Sequence, residues 1–255
     1  MDNVQNIFKV WEQVDSIDLH EGMTAYEKYN QTMCRLAWHY DFPLSSVVGA
    51  FCALSPNNDY MGNLRSLVTV LKGFREHKLL WDLTVSTYDS CKYRAWRCLL
   101  GQNFMTFTKG PKTRSFYINI MKPTDNYAVT IDGHMYSVWY GKYLNMKAVA
   151  KMGFDYEAVA HDFRTVAFSI GIVPCQLQAC LWFTWKRINN AVYNPQLGLF
   201  CADDHWGLLP DVKRIKEFTC NDASPKSLDH PAPARQLAFS TLSNKPLAVE
   251  PDQSA

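Results

Sequence analysis

A lysine, an aspartate and a histidine near the middle of the chain have side chains that could do chemistry. Lys112 lies in a turn that begins at Gly110, Asp132 comes twenty residues later within the sequence VTIDGHM, and His134 follows it. A carboxylate can stabilise positive charge on a reacting carbon, and it can activate an attacking group. A lysine amine that is partly removed from water shifts toward its neutral form and can attack such a carbon. Lys112 and Asp132 are therefore the candidate catalytic pair.

The turn that contains Lys112 is strongly basic. No acidic residue falls between positions 91 and 124, whereas seven basic residues do. They are Lys92, Arg94, Arg97, Lys109, Lys112, Arg114 and Lys122. A turn that opens a helix attracts anions because unpaired backbone N–H groups and the helix dipole both favour negative charge. We predict phosphate contacts from Lys109, Gly110, Thr113 and Arg114, which would hold a DNA strand beside the catalytic pair.

Each candidate also has a plain structural interpretation. An aspartate before a helix is most often an N-cap, and a lysine in a turn is most often solvated or a simple phosphate contact. His134 is more readily explained as a structural histidine. Gln178 and Trp182 are four residues apart on one helical face, where core packing is the commoner use. The basic turn and hairpin that precede Asp132 favour the functional interpretation, because an aspartate that only caps a helix does not need a hairpin before it.

Two asparagines after the apolar segment 44–54 are further candidates for a base pocket. Asn57 and Asn58 follow Pro56 and precede another helical pattern, so they can simply cap an inter-helix turn. At the rim of a pocket, either amide would offer one donor and one acceptor that can read a base edge. His134, Gln178 and Trp182 complete the predicted base pocket.

Composition limits the class of protein. The chain has 255 residues, 47% of them apolar and 20% charged, which is typical of a globular domain. A net charge of only +2 requires that any nucleic-acid affinity come from a local patch. The eight cysteines include no CxxC pair and do not have the spacing of a zinc or iron–sulfur site, so no metal and no cofactor are predicted.

The cysteines, the N-terminus and the lengths of the apolar runs indicate where the protein is expected to be located. The cysteines are expected to be reduced, mostly buried thiols of a cytoplasmic protein. The polar, acidic N-terminus predicts no signal peptide, and no apolar run approaches the roughly 20 residues that span a bilayer. We expect a monomer.

Apolar spacing predicts an all-α fold with eight to ten helices. The clearest segments are the apolar run 44–54, the stretch 154–171 and a helix that opens at Pro174. Asp89 and Ser90 are expected to cap a helix that ends at Gly101, and Asp132 is expected to cap the helix after it. We predict one helical domain over 1–220, with a hairpin at about 99–122, and a proline-containing flexible tail over 221–255.

The combination of the basic turn and the later aspartate resembles the helix-hairpin-helix DNA glycosylases, or HhH-GPD superfamily. The resemblance covers roughly residues 90–145 by motif: GPK at 110–112 matches the end of the hairpin, and Asp132 in VTIDGHM matches the catalytic aspartate. It implies a two-lobed helical fold with a catalytic cleft between the lobes. Lys112 would be the lysine that acts as nucleophile in members with lyase activity. One departure is Thr108, which stands where the first hairpin glycine is expected.

A narrower resemblance links the chain to phage and phage-derived proteins on this fold, some of them concerned with thymine hypermodification. The segments that carry it are GMTAYEKY (22–29), ALSPNNDYMGNL (53–64), GPKTRSFY (110–117), VTIDGHM (129–135) and PCQLQACLWFTW (174–185). If the protein is phage-encoded, the host cytoplasm is its expected location.

Three functions are consistent with these features. The first is a DNA glycosylase that flips a base from double-stranded DNA and cleaves its N-glycosidic bond, with or without lyase activity. The second is a hypermodification transferase that replaces pyrophosphate on a 5-pyrophosphomethyl-uracil in DNA with a free amino acid or amine. The third is a DNA-binding module that has lost its chemistry.

Overall fold

The computed structural model describes residues 3–56 and 58–189, and every regular element in these ranges is helical. The α-helices are α1 Asn3–Trp11, α2 Ser16–His39, α3 Leu44–Leu54, α4 Tyr60–Arg75, α5 Asp89–Leu99, α6 Phe104–Phe107, α7 Pro111–Met121, α8 Gly133–Tyr140, α9 Met146–Met152, α10 Tyr156–Ile170 and α11 Pro174–Ile188. A single 3₁₀ turn, Leu80–Asp82, lies between α4 and α5 in the described part of the chain. The all-α prediction is confirmed.

The described residues form eleven α-helices, one more than the upper end of the predicted range. The helices without a sequence signal are α6, with 4 residues, and α9, with 7. Neither is long enough to establish a 3.6-residue repeat, which explains why periodicity missed them. The predicted tail over 221–255 and its boundary lie outside the described residues.

Local capping determines where several helices begin. Asp15, Asp59, Asp132 and Asp155 each accept a hydrogen bond from a backbone N–H in the first turn of the following helix. The predicted capping role of Asp89 and Ser90 is wrong, because both residues lie inside the first turn of α5. The pattern at this site was ambiguous, since an acidic residue also suits the first turn of a helix.

Buried apolar residues fall into two clusters. The first cluster is built mainly from α2 to α7 and includes Phe51, Leu67, Leu71, Phe104 and Ile120. The second cluster is built from α1, α8, α10 and the segment before α8, and includes Ile7, Val129, Ile131, Met135 and Phe163. Burial of this apolar surface is the main source of stability for both.

Helix α11 contributes to both clusters. Cys175, Ala179 and Phe183 are buried in the first cluster, whereas Leu177, Leu181 and Trp185 are buried in the second. Helix α2 runs against α11 at very short range: a Cβ atom on Gly22 would lie 2.4 Å from the backbone nitrogen of Cys180. Only glycine allows this approach without displacing backbone.

The described cysteines match the expectation of buried thiols. Cys34, Cys52, Cys91, Cys98, Cys175 and Cys180 are all buried, and none of these six forms a disulfide. The remaining two, Cys201 and Cys220, lie outside the described residues.

No single helix among the described residues is long and apolar enough to cross a bilayer. Helices α10 and α11 meet the criterion only as a pair, by length and composition, and they are bent by 100° relative to each other.

Candidate functional site

Asp132 is positioned by an extended segment that is held inside the second cluster. Val129 and Ile131 are buried there, and the preceding Ala128 is also buried. The Tyr156 hydroxyl donates to the Val129 carbonyl oxygen at 2.7 Å and accepts from the Ile131 backbone N–H at 3.1 Å. Tyr156 from α10 therefore satisfies two backbone groups of a buried segment that has no strand partner. These bonds also fix the position of Asp132, which follows Ile131.

The carboxylate of Asp132 is the N-cap of α8, as the sequence indicates. Its Oδ1 accepts from the Met135 backbone N–H at 3.0 Å. The side chain is partly buried, and within residues 3–56 and 58–189 its Oδ2 has no hydrogen-bond or ion-pair partner. Capping uses one oxygen and leaves the other for a ligand, so the structural and catalytic interpretations are compatible.

His134 lies beside this carboxylate and is partly buried. Its ring meets the Trp182 ring edge to face, with centroids 6.3 Å apart. Burial lowers the pKa of His134 below its usual range; Asp132 opposes the shift, and Lys186 and Lys112 reinforce it. The imidazole is therefore neutral near pH 7 and can both donate and accept a hydrogen bond.

Lys186 belongs to the same group and was missed by the sequence analysis. Its Nζ lies 3.7 Å from the centroid of the Trp182 ring, in cation–π geometry. Burial lowers the pKa of Lys186, while Asp132 and Asp59 act in the opposite direction. A signal was available in the sequence, since Lys186 continues the four-residue spacing of Gln178 and Trp182 by one turn.

Gln178 is buried one turn before Trp182 and takes part in a polar network. The Tyr26 hydroxyl donates to Gln178 Oε1 at 2.7 Å. Nearby, the Thr130 hydroxyl donates to Asn119 Oδ1 at 2.9 Å, and the Asn119 amide donates to the Ala128 carbonyl oxygen at 2.8 Å. Burial raises the pKa of Tyr26, with contributions from charges that include Asp132. The network links α2, α7 and α11 to the segment that positions Asp132.

The amide nitrogen of Gln178 remains available. It has no hydrogen-bond partner in the described part of the chain, and it is not fully buried. An exposed edge of a buried amide is suited to reading a polar ligand, whereas Tyr26 occupies the oxygen. Nothing in the sequence singles out Tyr26, because it lies 152 residues from Gln178.

The region predicted to form the hairpin, about 99–122, follows α5 and contains the short α6 and α7. Gly110 is the N-cap residue of α7, with Pro111 at the first helical position. Thr108 has φ −97° and Gly110 has φ −63°, so neither position needs the left-handed conformation that favours glycine. The turn therefore accommodates threonine at 108, where the resemblance to glycosylases implies glycine.

A cavity of about 270 Å³ opens at this turn. Its lining includes Arg94, Phe107, Thr108, Lys109, Gly110 and Thr113. The Thr108 hydroxyl is buried and has no hydrogen-bond partner among the residues described, which is unusual for a buried polar atom. The cavity thus combines two cationic side chains with the first turn of a helix, an arrangement that suits an anion.

Most of the basic residues in this region serve the fold. Lys92 donates to the Leu83 carbonyl oxygen at 2.8 Å, and Arg97 donates to Gln102 Oε1 at 2.6 Å. Arg114 donates to the carbonyl oxygens of Met105 and Thr108 and thereby closes the turn. Lys122 lies 3.9 Å from Asp125. Arg94, Lys109 and Lys112 are exposed and have no hydrogen-bond or ion-pair partner within the described ranges.

Of the two asparagines predicted at the pocket rim, the structure describes Asn58. Asn58 donates to the Leu54 carbonyl oxygen at 2.9 Å, which closes the C-terminus of α3 as a structural residue would. Asn57 lies outside the described residues. A base-reading role for either asparagine stays a prediction.

The predicted site residues are thus divided between two places. Asp132, His134, Trp182 and Gln178 converge around the start of α8 and one face of α11. Lys109, Gly110 and Thr113 converge at the cavity of the turn. Lys112 connects the two places electrostatically, because its charge acts on His134 while its side chain is exposed. No group of three His, Cys, Asp or Glu side chains in the described ranges is arranged to hold a metal ion.

The described residues therefore define an all-helical protein with a capped carboxylate next to enclosed basic and aromatic side chains. A family model matches residues 1–189, and the chain belongs to that family, the Family of unknown function (DUF7178). Neither the comparison with curated proteins nor the comparison with solved structures finds a match.

Proposed function

We propose that this protein is an enzyme that acts on a base in double-stranded DNA and cleaves its N-glycosidic bond, with Asp132 as the catalytic carboxylate. The observation that carries the proposal is the free Oδ2 of Asp132, partly enclosed beside His134 and within electrostatic reach of the basic turn. We further propose that the two apolar clusters are the two lobes of an HhH-GPD-like fold. The reacting base would enter the cleft between them, next to Trp182, which contacts both clusters.

The reaction assigns a role to each group. As the C1′–N bond breaks, its electron pair leaves with the base and the sugar acquires positive charge, which the Asp132 carboxylate stabilises. Water then adds to C1′ and gives a proton to Asp132, which returns it to solvent or to the departing base. Flipping the base costs a few kcal/mol, and phosphate contacts at the turn of Lys109 and Gly110 would offset this cost.

The exposure of Lys112 favours a phosphate contact over a covalent role. A lysine acts as a nucleophile when desolvation favours its neutral amine. Lys112 is exposed in the structure, so hydrolysis without lyase activity fits better than Schiff-base chemistry. Borohydride treatment during turnover tests this choice, because it would reduce a Schiff base at Lys112 to a stable cross-link with DNA.

A second candidate function is the hypermodification transferase. The observation that favours it is the presence of two ammonium groups near one carboxylate: Lys186 and Lys112 both act electrostatically on His134, which lies beside Asp132. A leaving pyrophosphate carries several negative charges, which these ammonium groups would stabilise. Asp132 would take the proton of the attacking amine, whose nitrogen bonds to the exocyclic carbon as the carbon–oxygen bond to pyrophosphate breaks.

One experiment separates these functions. Purified protein is incubated with DNA that carries damaged bases, and separately with DNA that carries 5-pyrophosphomethyl-uracil plus a mixture of amino acids and amines. Mass spectrometry then measures free bases and digested nucleosides, with the Asp132→Asn variant as control. Free base that depends on Asp132 supports the glycosylase, and an aminated nucleoside supports the transferase. Unchanged DNA in every arm, together with wild-type DNA binding by Asp132→Asn and weaker binding by Lys112→Ala, would leave a DNA-binding module.

A further inference from the structure

Helix α11 presents a polar and aromatic face next to Asp132. Gln178, Trp182 and Lys186 are spaced by four residues and so lie on one side of the helix. The other sides of α11 are filled by apolar residues of the two clusters, such as Phe183 and Leu181. Trp182 packs against both clusters, and Gln178 and Lys186 are the polar side chains of this face.

Lys186 differs from other enclosed cations among the described residues. Lys28 donates to Glu21 at 3.0 Å, Lys92 to Leu83 at 2.8 Å and Arg114 to Met105 at 2.9 Å, while Arg164 is paired with Glu157. Lys186 is also partly buried, yet in the described part of the chain its ammonium has no hydrogen-bond acceptor and no ion-pair partner. The ammonium lies over the face of the Trp182 ring, and this contact leaves the N–H donors of the lysine unused.

Burying an ammonium whose N–H donors are unused costs free energy unless an anion pairs with it. The carboxylates that influence Lys186 electrostatically, Asp132 and Asp59, are not close enough to form an ion pair with it. His134 cannot supply positive charge in its place near neutral pH, because burial keeps the imidazole neutral. Lys186 is thus an enclosed cation within electrostatic reach of the Asp132 carboxylate.

We propose that Lys186, held over Trp182, is the anion-binding group of the Asp132 site and takes up the negative charge of the leaving group. This inference rests on the proposed function and deepens it. In glycosidic cleavage, the electron pair of the broken C1′–N bond leaves with the base, and the Lys186 ammonium stabilises that charge while Asp132 stabilises the sugar. In the transferase reaction, the same ammonium would bind the departing pyrophosphate. Both leaving groups share the chemistry of a small anion.

Inorganic pyrophosphate is the probe for this subsite, and its binding is measured by titration calorimetry without DNA. Lys186→Met keeps the length and apolar stem of the side chain but removes the charge, so we expect affinity to fall at least about tenfold. Lys186→Arg should restore most of it. Lys151→Met, which removes an exposed lysine of α9, is the matched control and should bind as the wild type does.

Single-turnover assays on the substrate found for the wild type provide the second readout. Lys186→Met should slow the chemical step about 100-fold, whereas DNA affinity should stay unchanged. Pyrophosphate affinity that is equal in the wild type and Lys186→Met, or absent from both, overturns the inference. A wild type without activity that still binds pyrophosphate through Lys186 would reject the proposed reaction and retain the subsite.

Discussion

Basic side chains occupy two different environments in this molecule. At the turn, Arg94, Lys109 and Lys112 are exposed and lack protein partners in the described ranges. Next to Asp132, His134 and Lys186 are partly buried and both contact the Trp182 ring, and burial lowers the pKa of both. The main difference between the two environments is solvation.

Solvation determines what each group can do. Exposed charges stay hydrated, act over a distance that salt limits and suit the phosphates of a long polyanion. Enclosed charges interact more strongly because less water screens them, and they suit charge that develops in a reaction. Under the proposed function, the turn would therefore bind DNA and the Asp132 site would carry out the chemistry. The following predictions test that division, from the largest expected effect to the smallest.

The strongest test removes the charge of Asp132 while keeping its cap. Asp132→Asn should lower the rate of base release or nucleoside change at least about 1,000-fold, because the carboxylate is the proposed charge stabiliser. Asparagine caps helices as well as aspartate does, so the melting temperature should stay near that of the wild type. Asp155→Asn makes the same change at the exposed cap of α10 and should keep full activity. Wild-type rates in Asp132→Asn would end the assignment.

The second test removes the exposed charges of the turn. Changing Arg94, Lys109 and Lys112 together to alanine should weaken DNA binding and reduce the slope of log affinity against log salt by about 0.9 for each phosphate that the protein no longer neutralises. The rate of the bound complex should change far less, because none of these side chains is enclosed with Asp132. Fluorescence anisotropy at several salt concentrations measures the slope, and Lys151→Ala is the control. An unchanged slope would move the DNA contact away from the turn.

The third test concerns Gly110, where the free protein does not require glycine. Its φ is −63°, and an added Cβ would meet only the Thr113 hydroxyl oxygen, at 3.8 Å. Gly110→Ala should therefore change the free energy of unfolding by less than about 0.5 kcal/mol. If a phosphate approaches this backbone closely, the methyl group will still weaken DNA binding several-fold. Binding equal to that of the wild type would mean that no phosphate lies against Gly110.

The smallest effect is the pH dependence of stability. The pKa of His134 is lowered in the folded protein, so the unfolded chain binds this proton first as pH falls below about 6.5. The free energy of unfolding should therefore fall with decreasing pH in that range, and His134→Gln should make the slope shallower. Urea titrations at several pH values measure it, with His161→Gln at an exposed histidine as control. An unchanged slope would mean that His134 is solvated.

Local features of this protein were readable from the sequence. The apolar run 44–54, the cap at Asp132 and the helix that begins at Pro174 all appear as predicted, because they depend on neighbours within one or two turns. Helices α6 and α9 were missed because they are too short for a repeat. The cap at Asp89 was misplaced because acidic residues suit both the cap and the first turn.

Solvation and long-range pairing were decided only by the tertiary structure. The sequence contains Lys112 and Lys186 as two ordinary lysines, and the folded chain exposes one and encloses the other against Trp182. Likewise, Tyr26 and Gln178 are 152 residues apart and bond only because α2 and α11 approach closely at Gly22. Burial depends on every element that surrounds a side chain, and residue type and spacing along one helix do not contain that information.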